Sequence, residues 1–216
     1  MTRIAGIDPG MQKDSFALVI IETEDGKIKV KLAYSWRGKS YLEVEKKIAK
    51  LHDTSPCDYY IVEQNNVGIH VIESLRHNHD IPNIVPVTTS KDLKEPGKKP
   101  NTMDKNEMTR WTLTQIEKGE LVFPSLSTSK HISELKRQLS IFEEQRTSTG
   151  SVRYSAPNGE HDDYVMALML ACWWAEKSAV KPVMIIADRL SNNDDKISRL
   201  NEEYDQGLTG LRWEQK

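Results

Sequence analysis

Cysteine is scarce. Only Cys57 and Cys172 occur in 216 residues, and neither stands in a Cys-x-x-Cys or mixed Cys/His spacing. That excludes a disulfide-stapled scaffold and a structural zinc knuckle, and it points to a reducing compartment. Long apolar runs are missing as well. The longest, residues 164–175, falls well short of the roughly 20 residues a membrane-crossing helix needs. The N-terminus opens directly in a strand-like block and carries no signal-peptide core. Neither sign of charge is in excess: 30 Lys and Arg stand against 32 Asp and Glu, a formal net charge of −2. This rules out a histone-like coat protein but leaves room for a local basic patch that meets DNA. The hydrophobic share of 38% is low. Its aromatic and β-branched members nevertheless fall into clear blocks, enough for one well-buried core.

Those blocks set an order of elements. Residues 4–8, 16–22 and 28–34 read as strands, the last two joined by the turn Glu24-Asp25-Gly26-Lys27, which makes an antiparallel meander. Residues 41–52 carry a helical apolar stripe, 58–63 form a strand with a continuous apolar run, 68–77 a helix and 84–87 another strand. The polar stretch 88–101 reads as a loop, followed by a helix over 105–118, a short strand at 121–123 and a helix over 132–145. A hairpin or loop is expected around 152–154, then an almost wholly apolar, buried helix over 162–177. The expected architecture is α/β: a mixed sheet, meander plus parallel strands, with helices on both faces. Residues 1–180 are expected to form this domain, and 181–216 a charged C-terminal tail that is flexible or a docking segment.

Acidic residues occupy three places where a carboxylate is expensive. Asp8 ends the first strand, Glu63 ends the strand before the 68–77 helix, and Asp162 and Asp163 open the apolar helix. Each has an ordinary reading: Asp8 before Pro9-Gly10 suits a turn, and Asp162 and Asp163 suit a helix start. Glu63 is harder to dismiss, because Glu is a poor strand residue. Together, two strand ends and a buried helix start would converge several carboxylates, which is intolerable without a cation. Magnesium or manganese, two ions in one site, is the usual partner of such a set and serves phosphodiester hydrolysis. Lys91, Lys94, Lys98 and Lys99, with Lys105 and Arg110, could line a phosphate backbone, diluted by acids at 92, 95 and 104; Arg146 and Arg153 could flank the cleft from the hairpin. Lys13, Asp14, His161, Asn65 and Asn66 sit close enough to these acids to support them, and each is equally suited to a surface or turn role.

At these residues the sequence resembles the ribonuclease H-like nucleases, and within them the nuclease domain of the large terminase subunit of tailed bacteriophages. Four segments carry the resemblance: Gly6-Ile7-Asp8-Pro9-Gly10; Val62-Glu63-Gln64-Asn65-Asn66-Val67-Gly68; the helix and short strand of 105–124 with Glu134-Leu135 beyond; and His161-Asp162-Asp163-Tyr164-Val165-Met166-Ala167-Leu168. The resemblance implies a ribonuclease H-like fold and a two-metal endonuclease that cuts double-stranded concatemeric viral DNA during packaging, in the host-cell cytoplasm. It implies Asp8, Glu63 and one or both of Asp163 and Asp162 as catalytic metal ligands, Asp163 being favoured. A packaging ATPase domain, the portal and the small terminase are the implied partners. No Gly-x-x-x-x-Gly-Lys-Ser/Thr loop occurs in these residues, so the ATPase is not expected within them. The alternative is a RuvC-like Holliday junction resolvase, which shares the first acids. An actin-like ATPase fits less well, because its glycine-rich phosphate loops are missing.

Overall fold

The computed structural model describes residues 1–10, 15–65, 67–90, 101–124, 129–146 and 152–191. The chain divides into two compact units, Met1–Ala175 and Glu176–Lys216. All but the end of the last element lies in the first.

The meander forms as the sequence predicts. β1 (Thr2–Pro9), β2 (Phe16–Glu24) and β3 (Lys27–Trp36) pair antiparallel in succession. The β2–β3 turn places Asp25 at φ 51° and Gly26 at φ 73°. Two consecutive positive φ values give the twist that a two-residue hairpin needs, and Asp-Gly tolerates them. α1 (Tyr41–Thr54) starts with a capping box, in which the Ser40 hydroxyl accepts from the Glu43 amide and the Glu43 carboxylate accepts from the Ser40 amide. β4 (Tyr59–Glu63), α2 (Gly68–His77), β5 (Ile84–Ser90), β6 (Thr102–Asp104) and α3 (Lys105–Glu117) follow. The chain closes with β7 (Leu121–Val122), α4 (Lys130–Ile141), β8 (Glu143–Arg146), β9 (Val152–Ser155) and α5 (Asp163–Ser191).

Seven strands make one sheet in the order β6-β5-β4-β1-β2-β3-β7, and β2 alone runs against the others. Strand alternation then divides the core in two. Ile4, Val19, Ile21 and Ile61 face α3, α4 and the wholly buried stretch 164–172 of α5. Ala5, Ile7, Leu18, Ile20 and Val62 face α1 and α2 through Val44, Ile48, Val71 and Leu75. This is the expected mixed sheet with helices on both faces.

The elements differ from expectation at four places. β5 runs three residues past Val87, because Thr88, Thr89 and Ser90 gain a parallel partner in β6, itself unforeseen in a stretch of polar sequence. Pro86 is tolerated inside β5. Strand alternation turns its side away from β4, and β6 does not begin until Thr88↔Thr102. α4 stops at Ile141 instead of 145: Phe142 is extended, and Glu143–Arg146 becomes β8, paired with β9 in the expected hairpin and tied by the Tyr154 hydroxyl donating to Glu144 at 3.1 Å. α5 continues beyond Lys177 to Ser191, through Pro182. Among the described residues, no helix is long and apolar enough to cross a membrane.

Candidate active site

β1 and β4 are parallel neighbours in the register Ile4↔Tyr59, Gly6↔Ile61 and Ile7↔Val62. One residue further come Asp8, the penultimate residue of β1, and Glu63, the last of β4, at the C-terminal edge of the sheet. Both follow the alternation of Ile4 and Ile61, so both turn to the α5 face. Asp163 begins α5, and it shares a helix face with Ala167 and Ala171 at i, i+4 and i+8. That face lies directly on β1, since a methyl group on Gly6 would overlap the Ala167 carbonyl oxygen. Gly6 therefore brings the start of α5 up to Asp8. Gly68 works likewise on the other acid, for a Cβ there would overlap the Glu63 carbonyl. α2 starts immediately behind the end of β4.

Asp8, Glu63, Asp162 and Asp163 line a single cleft of about 360 Å³, with Lys105 and Glu160 at its margin. Asp163 is buried at 7% exposure, whereas the side chain of Asp162 is 28% exposed and pairs with Lys105 at 3.4 Å. His161 Nδ1 stands 3.8 Å from the Asp163 carboxylate. Burial pushes the Asp8 carboxyl well above the ordinary carboxylate range; repulsion from Glu63, Asp163 and Asp162 adds to the rise and Lys105 partly opposes it. Glu63 is held by its neighbours: the Thr89 hydroxyl and the Asn65 amide both donate to Oε1, the latter at 2.9 Å, and Asn65 also donates to the Thr89 carbonyl at 3.1 Å. Among the described residues no donor reaches Glu63 Oε2. The Tyr41 hydroxyl donates to the Gly10 carbonyl at 3.0 Å and ties the turn after Asp8 to α1.

The four acids singled out in the sequence thus share one cleft, and Lys105 joins them. Of the other basic candidates, Arg110 and Arg146 do not line it. Arg110 is exposed on α3, its Nε bonded to the Asn106 carbonyl at 3.3 Å, and Arg146 on β8 pairs with Glu144 at 3.5 Å. Arg153 is placed opposite Gln145 in the hairpin. Lys91, Lys94, Lys98, Lys99, Lys13, Asp14 and Asn66 lie outside the described residues. Sequence reasoning missed Thr89 and Glu160. Thr89 sat in a stretch read as loop; the signal was the β-branched pair Thr88-Thr89, which prolongs the strand. A second polar groove of about 290 Å³ adjoins the cleft, sharing Lys105, Glu160 and Asp162 and reaching Gln145 of the hairpin.

The donor set suits a hard divalent cation. It is all carboxylate oxygen, it leaves one Glu63 oxygen undonated, and its mutual repulsion is what a cation relieves. Among the described residues, no three His, Cys, Asp or Glu side chains are already gathered into a set that could hold a metal ion. The carboxylates share the cleft without having closed on one point.

The sequence profile of the terminase RNaseH-like domain family matches residues 5–173. Among solved structures, the large terminase nuclease of thermophilic phage G20c with bound cobalt is similar at a TM-score of 0.60 and 21% identity, over 79% of each chain. The large terminase nuclease domain of Thermus phage P74-26 gives 0.59 at 19% identity, over 79% of this chain and 77% of the other. The nuclease domain of g2p, the large terminase of bacteriophage SPP1, with bound manganese, gives 0.51 at 16% identity, over 79% and 85%. No curated protein matches in sequence. At these identities the structural likeness establishes the ribonuclease H-like fold.

Proposed function

The chain belongs to the terminase RNaseH-like domain family, and on that premise we propose that it is a metal-dependent endonuclease that cuts double-stranded DNA concatemers during bacteriophage genome packaging. The observation that carries this reading is the convergence of Asp8, Glu63, Asp162 and Asp163 in one cleft at the strand ends. Asp8, Glu63 and Asp163, with Asp162 at the rim, would hold Mg²⁺ or Mn²⁺, two ions per site, and the bound metal would supply charge neutralisation at the phosphate and an acidified water. Thr89 and Asn65 hold one Glu63 oxygen, leaving the other to serve a cation. Lys105, already within reach of Asp162, is placed to meet a phosphate oxygen at the rim. The reaction is an in-line displacement at phosphorus that breaks the P–O3′ bond and leaves a 3′-hydroxyl. Among the described residues no recognition helix or base-reading module is evident, so little sequence preference is expected.

In that setting the protein works in the host-cell cytoplasm, where a packaging ATPase domain, the portal and the small terminase would govern when DNA reaches the cleft. The deciding experiment is plasmid cleavage. Supercoiled DNA should be nicked and linearised in Mg²⁺ or Mn²⁺ and left intact in EDTA. Cutting by Asp8→Asn protein as fast as by the parent would overturn the site. A strong preference for four-way junctions over linear duplex would favour a resolvase instead.

A further inference from the structure

A second feature lies on the opposite face of the sheet. Leu32 and Trp36 of β3 pack against the α1/α2 core, and alternation puts Tyr34 between them on that side. The Tyr34 and Trp36 rings are stacked, with centroids 5.6 Å apart and planes 26° from parallel. Each also makes an edge-type ring contact, Trp36 with Phe16 at 6.1 Å and Tyr34 with His131 of α4 at 5.3 Å. The pair forms one wall of a groove of about 330 Å³, whose other lining residues are Lys47, Lys50, Leu51 and Thr54 of α1. Lys47 and Lys50 are exposed at i and i+3, so they lie along one helix face. No carboxylate lines the groove, and neither lysine is ion-paired among the described residues. This contrasts with Lys29, Lys31 and Lys39 nearby, each matched to a glutamate.

We propose that this groove binds an unpaired DNA strand, a base stacking on the Tyr34–Trp36 platform while Lys47 and Lys50 take the adjoining phosphates. Every base has a π-face, so braced aromatic rings beside unmatched cations form a sequence-tolerant binder of single strands. The bases of an intact duplex are already stacked and cannot reach the platform; an unpaired end or displaced strand can. An acidic peptide could satisfy the lysines but would leave the stacked rings without a planar partner. The inference goes beyond the proposed cutting activity, because the groove shares no lining residue with the carboxylate cleft and its occupancy requires no metal.

The test is fluorescence anisotropy of a fluorescein-labelled oligothymidylate with the full chain in EDTA, where the cleft cannot cut. The parent should bind, and Lys47→Gln/Lys50→Gln should bind about tenfold more weakly. Its log–log salt dependence should be shallower by about 1.4, at roughly 0.7 per phosphate on a single strand. Its plasmid cleavage in Mn²⁺ should stay at the parent rate. Because Trp36 also packs into the core, the aromatic wall is tested without mutation, by photocrosslinking a bromodeoxyuridine-substituted oligonucleotide and mapping the adduct. Adducts on Tyr34 or Trp36 support the proposal. It is overturned by unchanged affinity in the double variant, by adducts confined to the carboxylate cleft, or by equal displacement with polyglutamate. Loss of oligonucleotide binding with plasmid cutting retained separates the groove from the cleft; loss of cutting with oligonucleotide binding unchanged overturns the groove.

Discussion

The two faces of the sheet are built from alternate residues of the same strands, yet they carry different chemistry. On the α5 face the contact is made by small residues, Gly6 against Ala167 and Ala171, and helix meets strand backbone to backbone. On the α1/α2 face Val44, Ile48, Val71 and Leu75 fill the space between helix and sheet. The first arrangement brings the start of a helix into line with two strand ends, and there the carboxylates gather. The second holds its helices off on branched side chains; Lys47 and Lys50 there stay in water, and the buried Glu45 carboxylate accepts from the Ser74 hydroxyl at 2.6 Å. Close approach of a helix along the strand itself, Ala167 and Ala171 on Gly6, is thus what distinguishes the acidic face; on the other face the comparable approach is at the start of α2, Gly68 on Glu63.

The sharpest break of this contrast is chemical. Asp8→Asn or Glu63→Gln should reduce metal-dependent plasmid cleavage by about a hundredfold or more, the scale of losing one preorganised electrostatic group. The same assay separates the two helix-start acids: Asp163→Asn, which alters the buried carboxylate, should cost more activity than Asp162→Asn, whose side chain is partly in solvent.

Next comes packing. Gly6→Ala forces a methyl into the Ala167 carbonyl and should cost about 3 kcal/mol, the upper part of the usual overpacking range. At a few degrees per kcal/mol, the loss would be plain in thermal melting. Ile48→Val on the other face should cost only about 1 kcal/mol. Equal penalties would dissolve the distinction between the faces.

A smaller effect concerns pH. Without metal, Asp8 titrates above its unfolded value, so the folded protein keeps a proton that the unfolded chain has released. Stability of the metal-free protein should therefore fall as pH rises from about 4 through the folded-state value. Asp8→Asn should flatten that slope and raise the melting temperature measured in EDTA, while the parent, and not the variant, should be stabilised by added Mg²⁺. The least effect is expected at Arg137, 44% exposed and paired with Glu134 and Glu160. Arg137→Ala should change stability by less than about 1 kcal/mol.

Much of this was legible from residue order. The meander, its Asp-Gly turn and α2 fell where apolar alternation and glycine placed them. Asp8 and Glu63 were recognisable because an acid closing an apolar strand needs a reason. Glycine also marked the close contacts, since both Gly6 and Gly68 lie within the segments that carry the family resemblance. What could not be read depended on partners distant in sequence. Glu143–Arg146 continues a helical pattern locally and becomes a strand only because Val152–Ser155 pairs with it. Thr89 looked like loop until β6 supplied a neighbour. The depth difference between Asp162 and Asp163 follows from the rotation of α5 on β1, which sequence spacing suggests and Gly6 enforces.

Gly68 also sets a tolerance. Where the β4–α2 connection ends, at Gly68, there is no room for a side chain: even one added carbon would strike the Glu63 carbonyl. A length change in that connection would be transmitted directly to the carboxylate. The Asp25-Gly26 hairpin lies at the opposite end of the sheet, and a Cβ on Gly26 meets nothing within 4 Å. For anyone fusing a tag, a sensor or another domain to this protein, the β2–β3 turn is the permissive port and the β4–α2 connection the one to leave intact.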